Sequence, residues 1–161
     1  MHAFKTVTLA LSVLVLLAGC AFKAVVPGMS REEVLASYGK PTRVVPFNGG
    51  TRLQYSTQPA GQNAVMVDLD NTGKVVAAQE ALKSSEFYKI GIGKWTRPDV
   101  ELAFGPPALV DRVRSWPGDI MTYRWRDGSE NMLFWVYLDS NNVVQRTGQG
   151  QDYSMEAPDP N

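Results

Sequence analysis

The chain contains almost none of the side chains on which most catalytic and metal sites depend. Its 161 residues include one histidine, His2, and one cysteine, Cys20, and both lie near the N-terminus. The rest of the chain therefore lacks the usual general base at neutral pH, a thiol nucleophile and the preferred soft ligands of zinc. A single cysteine also excludes a disulfide within the chain. We expect a protein that is not an enzyme and that holds no metal and no cofactor.

An excess of charge of one sign is missing as well. The sequence has 16 basic and 16 acidic residues. Proteins that bind nucleic acid carry a basic surplus, so binding to nucleic acid is not expected. With 44% hydrophobic and 20% charged residues, the composition is that of an ordinary globular protein, which excludes disorder and collagen-like structure.

A hydrophobic run long enough to cross a membrane is also absent. Residues 6–18 form an uncharged apolar run that follows the basic residue Lys5 and ends in small residues, as in secretory signal peptides. The run is shorter than the roughly 20 residues of a membrane-spanning helix, so the alternative of a transmembrane anchor is disfavoured. We interpret residues 1–19 as an export signal.

The end of this signal resembles a known motif. Residues 17–20 are Leu-Ala-Gly-Cys, similar to the lipobox of bacterial lipoproteins, in which the cysteine thiol is acylated and the chain is cut just before it. The resemblance implies a lipid on Cys20, a lipidated tether over residues 20–24 and attachment to a membrane, which is stable with two or three acyl chains. Because Ala21 follows the cysteine in place of Asp, resemblance to Gram-negative lipoproteins implies the periplasmic side of the outer membrane.

The body of the chain contains an internal repeat. Residues 30–41 align with residues 96–107 at a constant offset of 66. Each segment opens with a hydroxyl residue, has a carboxylate three positions later, and ends with an aromatic residue and a glycine. This order predicts two short helices, each with a capped start and a glycine stop. The corresponding pairs are Ser30 and Thr96, Glu33 and Asp99, Tyr38 and Phe104, and Gly39 and Gly105.

The hydrophobic period changes from 3.6 to 2 after each helix. Alternating segments separated by Asn, Asp, Gly and Pro clusters predict half-buried antiparallel strands. The sequence therefore predicts an α+β fold, a tandem repeat in which a short helix packs on an antiparallel meander sheet of three or four strands. The alternating segments are residues 51–57, 64–69, 121–126 and 133–138.

The repeat also sets the expected boundaries. The first unit covers residues 25–82 and the second unit covers residues 83–148. Residues 79–92 join them, and we expect a helical linker there. Residues 149–161 are polar, contain prolines and show no period, which predicts an irregular tail.

The order of these motifs resembles the BamE (SmpA/OmlA) domain. In each unit Val-x-x-x-(Tyr/Phe)-Gly-x-Pro is followed by residues 53–55 or 123–125 and then by a strand that ends at Asp70 or Asp139. The chain is also similar to the β-lactamase inhibitor protein, which has this fold in tandem. The BamE resemblance implies a protein partner in the outer-membrane protein assembly machinery. Typical BamE proteins have one such unit, and the inhibitor proteins have disulfides that this chain cannot form.

One turn has part of the pattern of a calcium loop. Asp68, Asp70 and Asn71 precede Gly73, but Gln79 occupies the twelfth position, where such a loop has a glutamate. A hairpin turn is the preferred interpretation.

The two predicted sheets differ on the face turned away from their helices. The first unit has Ala64, Met66 and Asp68 there, whereas the second has large aromatic side chains with arginines at the same parity. Such a composition is typical of a protein-binding hot spot. The alternative is that the aromatic residues are buried between the units or under the linker. The predicted partner-binding residues are Trp135, Tyr137, Leu133, Arg124, Arg126, Trp116, Arg112 and Arg114.

These expectations define a non-enzymatic lipoprotein of the outer membrane. It would bind a protein partner as a scaffold in envelope maintenance or outer-membrane protein assembly. The alternative is an inhibitor-like binder that occludes a periplasmic or external enzyme. Such a binder should insert an acidic or aromatic loop, and residues 48–50, Asn-Gly-Gly, are poorly suited to that.

Overall fold

The computed structural model describes residues 24–155. The predicted signal peptide, Cys20, most of the predicted tether and residues 156–161 lie outside the described residues. Within the described part of the chain, no helix has the length and apolar composition needed to cross a membrane.

Two four-stranded antiparallel sheets form the body of the chain, and each has its strands in sequential order. The α+β class and the meander order are therefore confirmed. The N-terminal sheet consists of β1 (Arg43–Phe47), β2 (Gly50–Ser56), β3 (Ala64–Leu69) and β4 (Val75–Glu80). The C-terminal sheet consists of β5 (Leu109–Asp111), β6 (Ile120–Asp127), β7 (Glu130–Leu138) and β8 (Val144–Gln151). The helices are α1 (Arg31–Tyr38), α2 (Ser84–Phe87) and α3 (Arg97–Phe104), and a 3₁₀ turn (Tyr153–Met155) follows β8.

The two predicted helices begin with the expected side-chain caps. The Ser30 N–H donates to Glu33 Oε2 at 2.7 Å, and the Glu33 N–H donates to Ser30 Oγ at 3.2 Å. At the start of α3, the Thr96 N–H and hydroxyl both donate to Asp99 Oδ2 at 2.7 Å. These bonds satisfy N-terminal N–H groups that have no partner inside a helix.

Both helices end at the predicted glycines. Gly39 has φ 74° and ψ −154°, and Gly105 has φ 79° and ψ −170°. Positive φ combined with extended ψ is a conformation that essentially only glycine adopts. Each glycine therefore turns the chain out of its helix and into the following strand region.

The elements stack in four layers, with α3 between the two sheets. A small core joins α1 to the N-terminal sheet through Val34, Leu53 and Val67, all fully buried. A larger core surrounds Val100 and Phe104 of α3 and takes apolar side chains from both sheets. The C-terminal sheet contributes Met121, Tyr123, Trp125, Phe134, Val136 and Leu138 to it, and the N-terminal sheet contributes Ala64 and Met66.

Ala64, Met66 and Asp68 lie on the predicted face of the N-terminal sheet, turned away from α1, but this face is covered and not open to solvent. Ala64 is 0% exposed and Met66 is 1% exposed, because α3 lies against this side of the N-terminal sheet. The Asp68 carboxylate is held by Arg52, whose Nε and Nη2 donate to it at 2.6 and 2.8 Å. Both faces of the N-terminal sheet are thus covered, one by α1 and the other by α3.

Polar side chains of the N-terminal sheet also bind the end of α3. Arg52 Nη1 donates to the Leu102 carbonyl at 3.0 Å, and Gln54 Nε2 donates to the Glu101 carbonyl at 2.9 Å. The Glu101 carbonyl also accepts from the Gly105 N–H, whereas the Leu102 carbonyl in the last turn is satisfied from outside the helix by Arg52 and Gln54. Arg52 and Gln54 are 7% and 0% exposed, and they fix the position of α3 on the sheet.

A loop of the N-terminal sheet reaches the C-terminal sheet. The Gln58 side-chain amide hydrogen-bonds both backbone groups of Arg124, donating to its carbonyl at 2.7 Å and accepting from its N–H at 3.2 Å. Gln62 Nε2 donates to the Trp125 carbonyl at 3.1 Å. Because β5 pairs with residues 120–122 only, the amide of Gln58 occupies the part of the β6 edge that β5 leaves open.

The linker and the predicted tail both differ from expectation. β4 extends to Glu80, and the only helix within residues 79–92 is the single turn α2. Its Phe87 ring stacks on the Phe134 ring, with the ring centroids 3.9 Å apart. β8 continues to Gln151, so the boundary predicted at residues 148/149 falls inside a strand. Glycine and glutamine have low strand propensity, which hid the end of β8 in the sequence.

Candidate protein-binding face

The predicted aromatic residues lie on the side of the C-terminal sheet that is turned away from α3. Trp135 and Tyr137 alternate along β7 with Phe134 and Val136, which point into the core. Trp135 therefore is not buried between the sheets or under the linker. We call this side the outer face. Its side chains come from Thr122, Arg124 and Arg126 of β6, Leu133, Trp135 and Tyr137 of β7, and Arg146, Gly148 and Gly150 of β8.

Trp135 is held flat against the neighbouring strand. A Cβ on Gly150 would lie 2.9 Å from Trp135 Cη2, closer than real Cβ contacts, and a Cβ on Gly148 would lie 3.6 Å from Cε3. Glycine at position 150 is thus required for the ring to reach the strand backbone. The indole is half-buried, with one side packed on β8.

A second group of side chains extends the aromatic surface. The Trp116 indole N–H donates to the Leu138 carbonyl at 2.6 Å and contacts Tyr137 edge-on, with centroids 5.3 Å apart. The Arg146 guanidinium lies 4.0 Å from the Tyr137 ring centroid and 5.2 Å from that of Trp116. Such cation–π contacts contribute about 0.5–1 kcal/mol each at exposed sites, so they help to hold the two rings in place.

Three of the predicted residues lie outside the strands. Arg112, Arg114 and Trp116 follow the three-residue strand β5, so they occupy a loop at the edge of the outer face. The Arg112 Nε donates to Asp119 Oδ1 at 2.5 Å, and this carboxylate raises the pKa of Arg112. The expected strand parity of these residues is therefore wrong, because β5 ends at Asp111.

Arg124 has a structural environment that the sequence did not indicate. Its Nε lies 3.3 Å from Asp152 Oδ2, its Nη1 donates to the Pro59 carbonyl at 3.2 Å, and its Nη2 donates to Ser154 Oγ at 3.1 Å. Arg126, by contrast, is exposed and donates to the Ser129 carbonyl at 3.4 Å. Arg124 thus ties the segment after β8 to the sheet.

A shallow apolar groove lies beside Leu133 on the same face. It has a volume of about 520 Å³, and Leu109, which is 51% exposed, forms part of its wall. Leu109 and Arg146 were missed in the sequence. Arg146 could have been found from its parity with Gly148 and Gly150, had β8 been extended to its full length.

The carboxylates of the two hairpin turns serve the turns themselves. Asp70 Oδ1 accepts hydrogen bonds from the Thr72 hydroxyl and from the N–H groups of Thr72 and Lys74, and these bonds lower the pKa of Asp70. The hairpin interpretation of this segment is thereby confirmed. Asp139 accepts bonds from the N–H groups of Val143 and Asn141, and its pKa is lowered for the same reason.

The Tyr123 side chain is fully buried in the core. The Tyr123 hydroxyl donates to the Gly105 carbonyl at 3.0 Å, and burial raises its pKa well above the ordinary value. In residues 24–155, no group of three or more His, Cys, Asp or Glu side chains is placed to hold a metal ion.

Comparisons with known proteins give distant similarities only. No protein-family model and no curated protein matches the chain. The chain is similar to the structure of a DUF4309 family protein from Bacillus subtilis, at 15% identity and a TM-score of 0.33 over 76% of this chain and 78% of that one. It is also similar to a candidate β-lactamase inhibitor protein from Streptococcus mutans, at 15% identity and a TM-score of 0.32 over 76% and 83% of the two chains.

Proposed function

We propose that this chain is a non-enzymatic, lipid-anchored scaffold that binds a protein partner through the outer face. The observation that carries the proposal is the fixing of Trp135 across Gly148 and Gly150, with Tyr137 and Trp116 beside it. Large aromatic side chains flanked by arginine supply most of the binding energy at many protein interfaces. Rings that are ordered beforehand lose little conformational entropy on binding, which favours this face over a mobile loop.

The carboxylates support a binding role over a catalytic one. Asp68 is paired with Arg52, Asp119 lies between Arg97 and Arg112, and Asp99 caps α3. Each of these groups is engaged in holding the fold.

The proposed location comes from the sequence. The lipobox resemblance at residues 17–20 supports a lipid on Cys20 and the periplasmic side of the outer membrane, and the BamE resemblance supports a partner in outer-membrane protein assembly or envelope maintenance. Cys20→Ser should abolish incorporation of labelled fatty acid and release the protein from membranes. Equal labelling of wild type and variant would contradict the anchor.

We further propose that the two sheets with their helices are copies of one BamE-like unit. The Gly28 N–H donates to the Val75 carbonyl at 2.8 Å, and the Gly93 N–H donates to the Val144 carbonyl at 2.7 Å. These bonds join the start of each unit to the last strand of its own sheet in the same way. In the N-terminal sheet, α3 covers the face that corresponds to the outer face. Only the C-terminal sheet therefore presents this face uncovered by a helix.

The binding proposal is tested with two aromatic variants. Trp135→Ala should weaken capture of the partner by about 2 kcal/mol or more, as the loss of an aromatic anchor does. Tyr88→Ala is the matched control, because Tyr88 is 84% exposed and does not lie on the outer face. Thermal unfolding of both variants should accompany the binding assay. A Trp135→Ala variant that binds like wild type would contradict the proposal.

An inhibitor-like binder is the second candidate, and one observation favours it. The loop after β5 carries Val113, 44% exposed, and Trp116 next to the aromatic surface, so this edge of the outer face can enter a concave site. If the captured partner is an enzyme, adding this protein should reduce its activity in a dose-dependent way, and Val113→Asp should relieve the inhibition. A partner without catalytic activity would leave the scaffold as the function.

A further inference from the structure

The last strand of the C-terminal sheet has an open edge. β8 pairs with β7 on one side, and on the other side only its first residue is bonded, the Val144 N–H donating to the Trp95 carbonyl at 2.8 Å and its carbonyl accepting from Gly93. After Gln151 the chain leaves the edge, because Asp152 and Ser154 turn towards Arg124. Within the described part of the chain, no backbone hydrogen bond therefore reaches residues 145 to 151 from this side, and Ser84, Phe87 and Tyr88 lie beside Thr147, Gly148 and Gln149 on the face turned towards the core.

The direction of the backbone groups along this edge follows from the neighbouring strands. Both the N–H and the carbonyl of Arg124 bond Gln58, on the side of β6 away from β7. Arg124 pairs with Leu133 across β6 and β7, so Leu133 exchanges no backbone hydrogen bonds with β6. In an antiparallel sheet, the N–H and carbonyl groups of Leu133, and those of Trp135 two residues later, therefore point to β8. Their partners Gly150 and Gly148 bond β7, and the N–H and carbonyl groups of Thr147 and Gln149 point to the open edge.

The strand lacks the features that normally protect an edge. β8 has eight residues, against five in β1, six in β4 and three in β5. It contains no proline, whereas β1 contains Pro46, and its single charged residue is Arg146. Natural edge strands are usually short, charged or interrupted by proline, because an unprotected edge pairs with another strand.

We propose that β8 is a self-association surface, on which the occupant is β8 of a second copy of this chain in an antiparallel, two-fold symmetric pair. The strand is complementary to itself in the register centred on Gly148. Thr147 then faces Gln149 of the partner copy, and each such pair exchanges two backbone hydrogen bonds. This register occupies the open stretch from the Val144 contacts to the turn at Asp152.

The charge pattern agrees with this occupant. In the same register Arg146 faces a glycine at position 150 of the other copy, so no like charges oppose each other across the interface. In that other copy, the Trp135 indole covers the glycine, so the Arg146 guanidinium has an aromatic ring to contact. The equal numbers of basic and acidic residues, 16 of each, impose no long-range repulsion between copies. The pair places two outer faces side by side on one continuous sheet.

Sedimentation of the full chain, purified in detergent, tests the proposal without any knowledge of the partner. Wild type should form a dimer whose fraction rises with concentration. Thr147→Pro removes an N–H that points to the open edge and leaves the bonds to β7 intact, so we expect the dissociation constant to rise by about tenfold or more. Thr147→Val keeps the N–H and should dimerise like wild type.

A cross-link provides a second measurement that does not depend on the proline variant folding. Positions 148 of the two copies face each other in a pair without direct backbone bonds, where Cα atoms are about 4.5 Å apart and a disulfide can form. Gly148→Cys should yield an oxidised dimer, whereas Val76→Cys, on the exposed edge region of β4, should not. Wild type that stays monomeric at all concentrations, or equal cross-linking of both cysteine variants, would overturn the proposal.

Discussion

Arg124 and Asp152 form an ion pair that closes the segment after β8 onto the outer face, with Nε 3.3 Å from Oδ2 and the Asp152 side chain 2% exposed. Oδ2 has no hydrogen-bond partner in the described residues, so the guanidinium supplies its compensating charge. Arg124→Glu should therefore lower the free energy of unfolding by about 3 kcal/mol, because a buried carboxylate loses its counter-charge and gains a like one. Chemical denaturation measures the loss.

Arg126→Glu is the matched control for this change. Arg126 lies on the same strand, is exposed and makes one long bond to the Ser129 carbonyl, so its reversal should change stability by less than about 0.5 kcal/mol. Equal stabilities of the two variants would show that the pair with Asp152 is not structural. Because reversing the charge of Arg124 would also change stability, Arg126 is the better site for a charge-reversal test of association.

Met66 gives a prediction that reverses the sequence-based one. Its side chain is 1% exposed in the core around α3, so Met66→Ala should cost about 2–5 kcal/mol in stability. Val76→Ala, at a site that is 56% exposed on the same sheet, should cost less than about 1 kcal/mol. Thermal unfolding of both proteins compares them directly. A Met66→Ala protein as stable as wild type would place this face outside the core.

The glycine that ends α1 offers a test of backbone conformation alone. A Cβ on Gly39 would meet no atom within 4 Å, yet its φ is 74°. Gly39→Val should therefore cost on the order of 1–3 kcal/mol through strain, without any steric clash. Lys40→Val, one residue later and exposed, should cost much less. If urea denaturation finds the two valine variants alike, the conformation of Gly39 does not contribute to stability.

Acid should weaken the fold through the turn carboxylates. The hydrogen bonds of Asp139 lower its pKa in the folded chain below the value of about 3.9 expected when unfolded. Its contribution to stability is therefore complete above that unfolded value and is lost as the pH falls through the lower, folded one. Asp139→Asn should flatten the dependence of stability on pH below about 4. Urea unfolding at pH 7 and at pH 3 measures this, and an unchanged slope would contradict it.

The sequence predicted the parts of the fold that depend on local chemistry. The caps at Ser30 and Thr96, the positive φ of Gly39 and Gly105, and the alternation along β7 are written in residues a few positions apart. Such signals survive in any tertiary context, because capping bonds and strand pleat are set within one element.

The parts that were missed depend on contacts between distant segments. Arg52 and Gln54 have the composition of surface residues, and only the approach of α3 explains why they are buried. Alternation marks the two faces of a strand without showing what covers each face, so the burial of Met66 under α3 could not be predicted. The site followed the same rule: the parity of Trp135 could be predicted, whereas the pairing of Arg124 with Asp152 required the end of β8.

In-cell photo-crosslinking tests most directly whether the outer face meets a partner. A photoreactive phenylalanine analogue at position 135 keeps an aromatic ring on the face, and the same analogue at position 44, where Val44 is 48% exposed on β1 of the N-terminal sheet, serves as the control. Our account predicts a discrete adduct with a different protein at position 135 and none at position 44. Adducts of equal yield at both positions, or an adduct at position 44 alone, would contradict it.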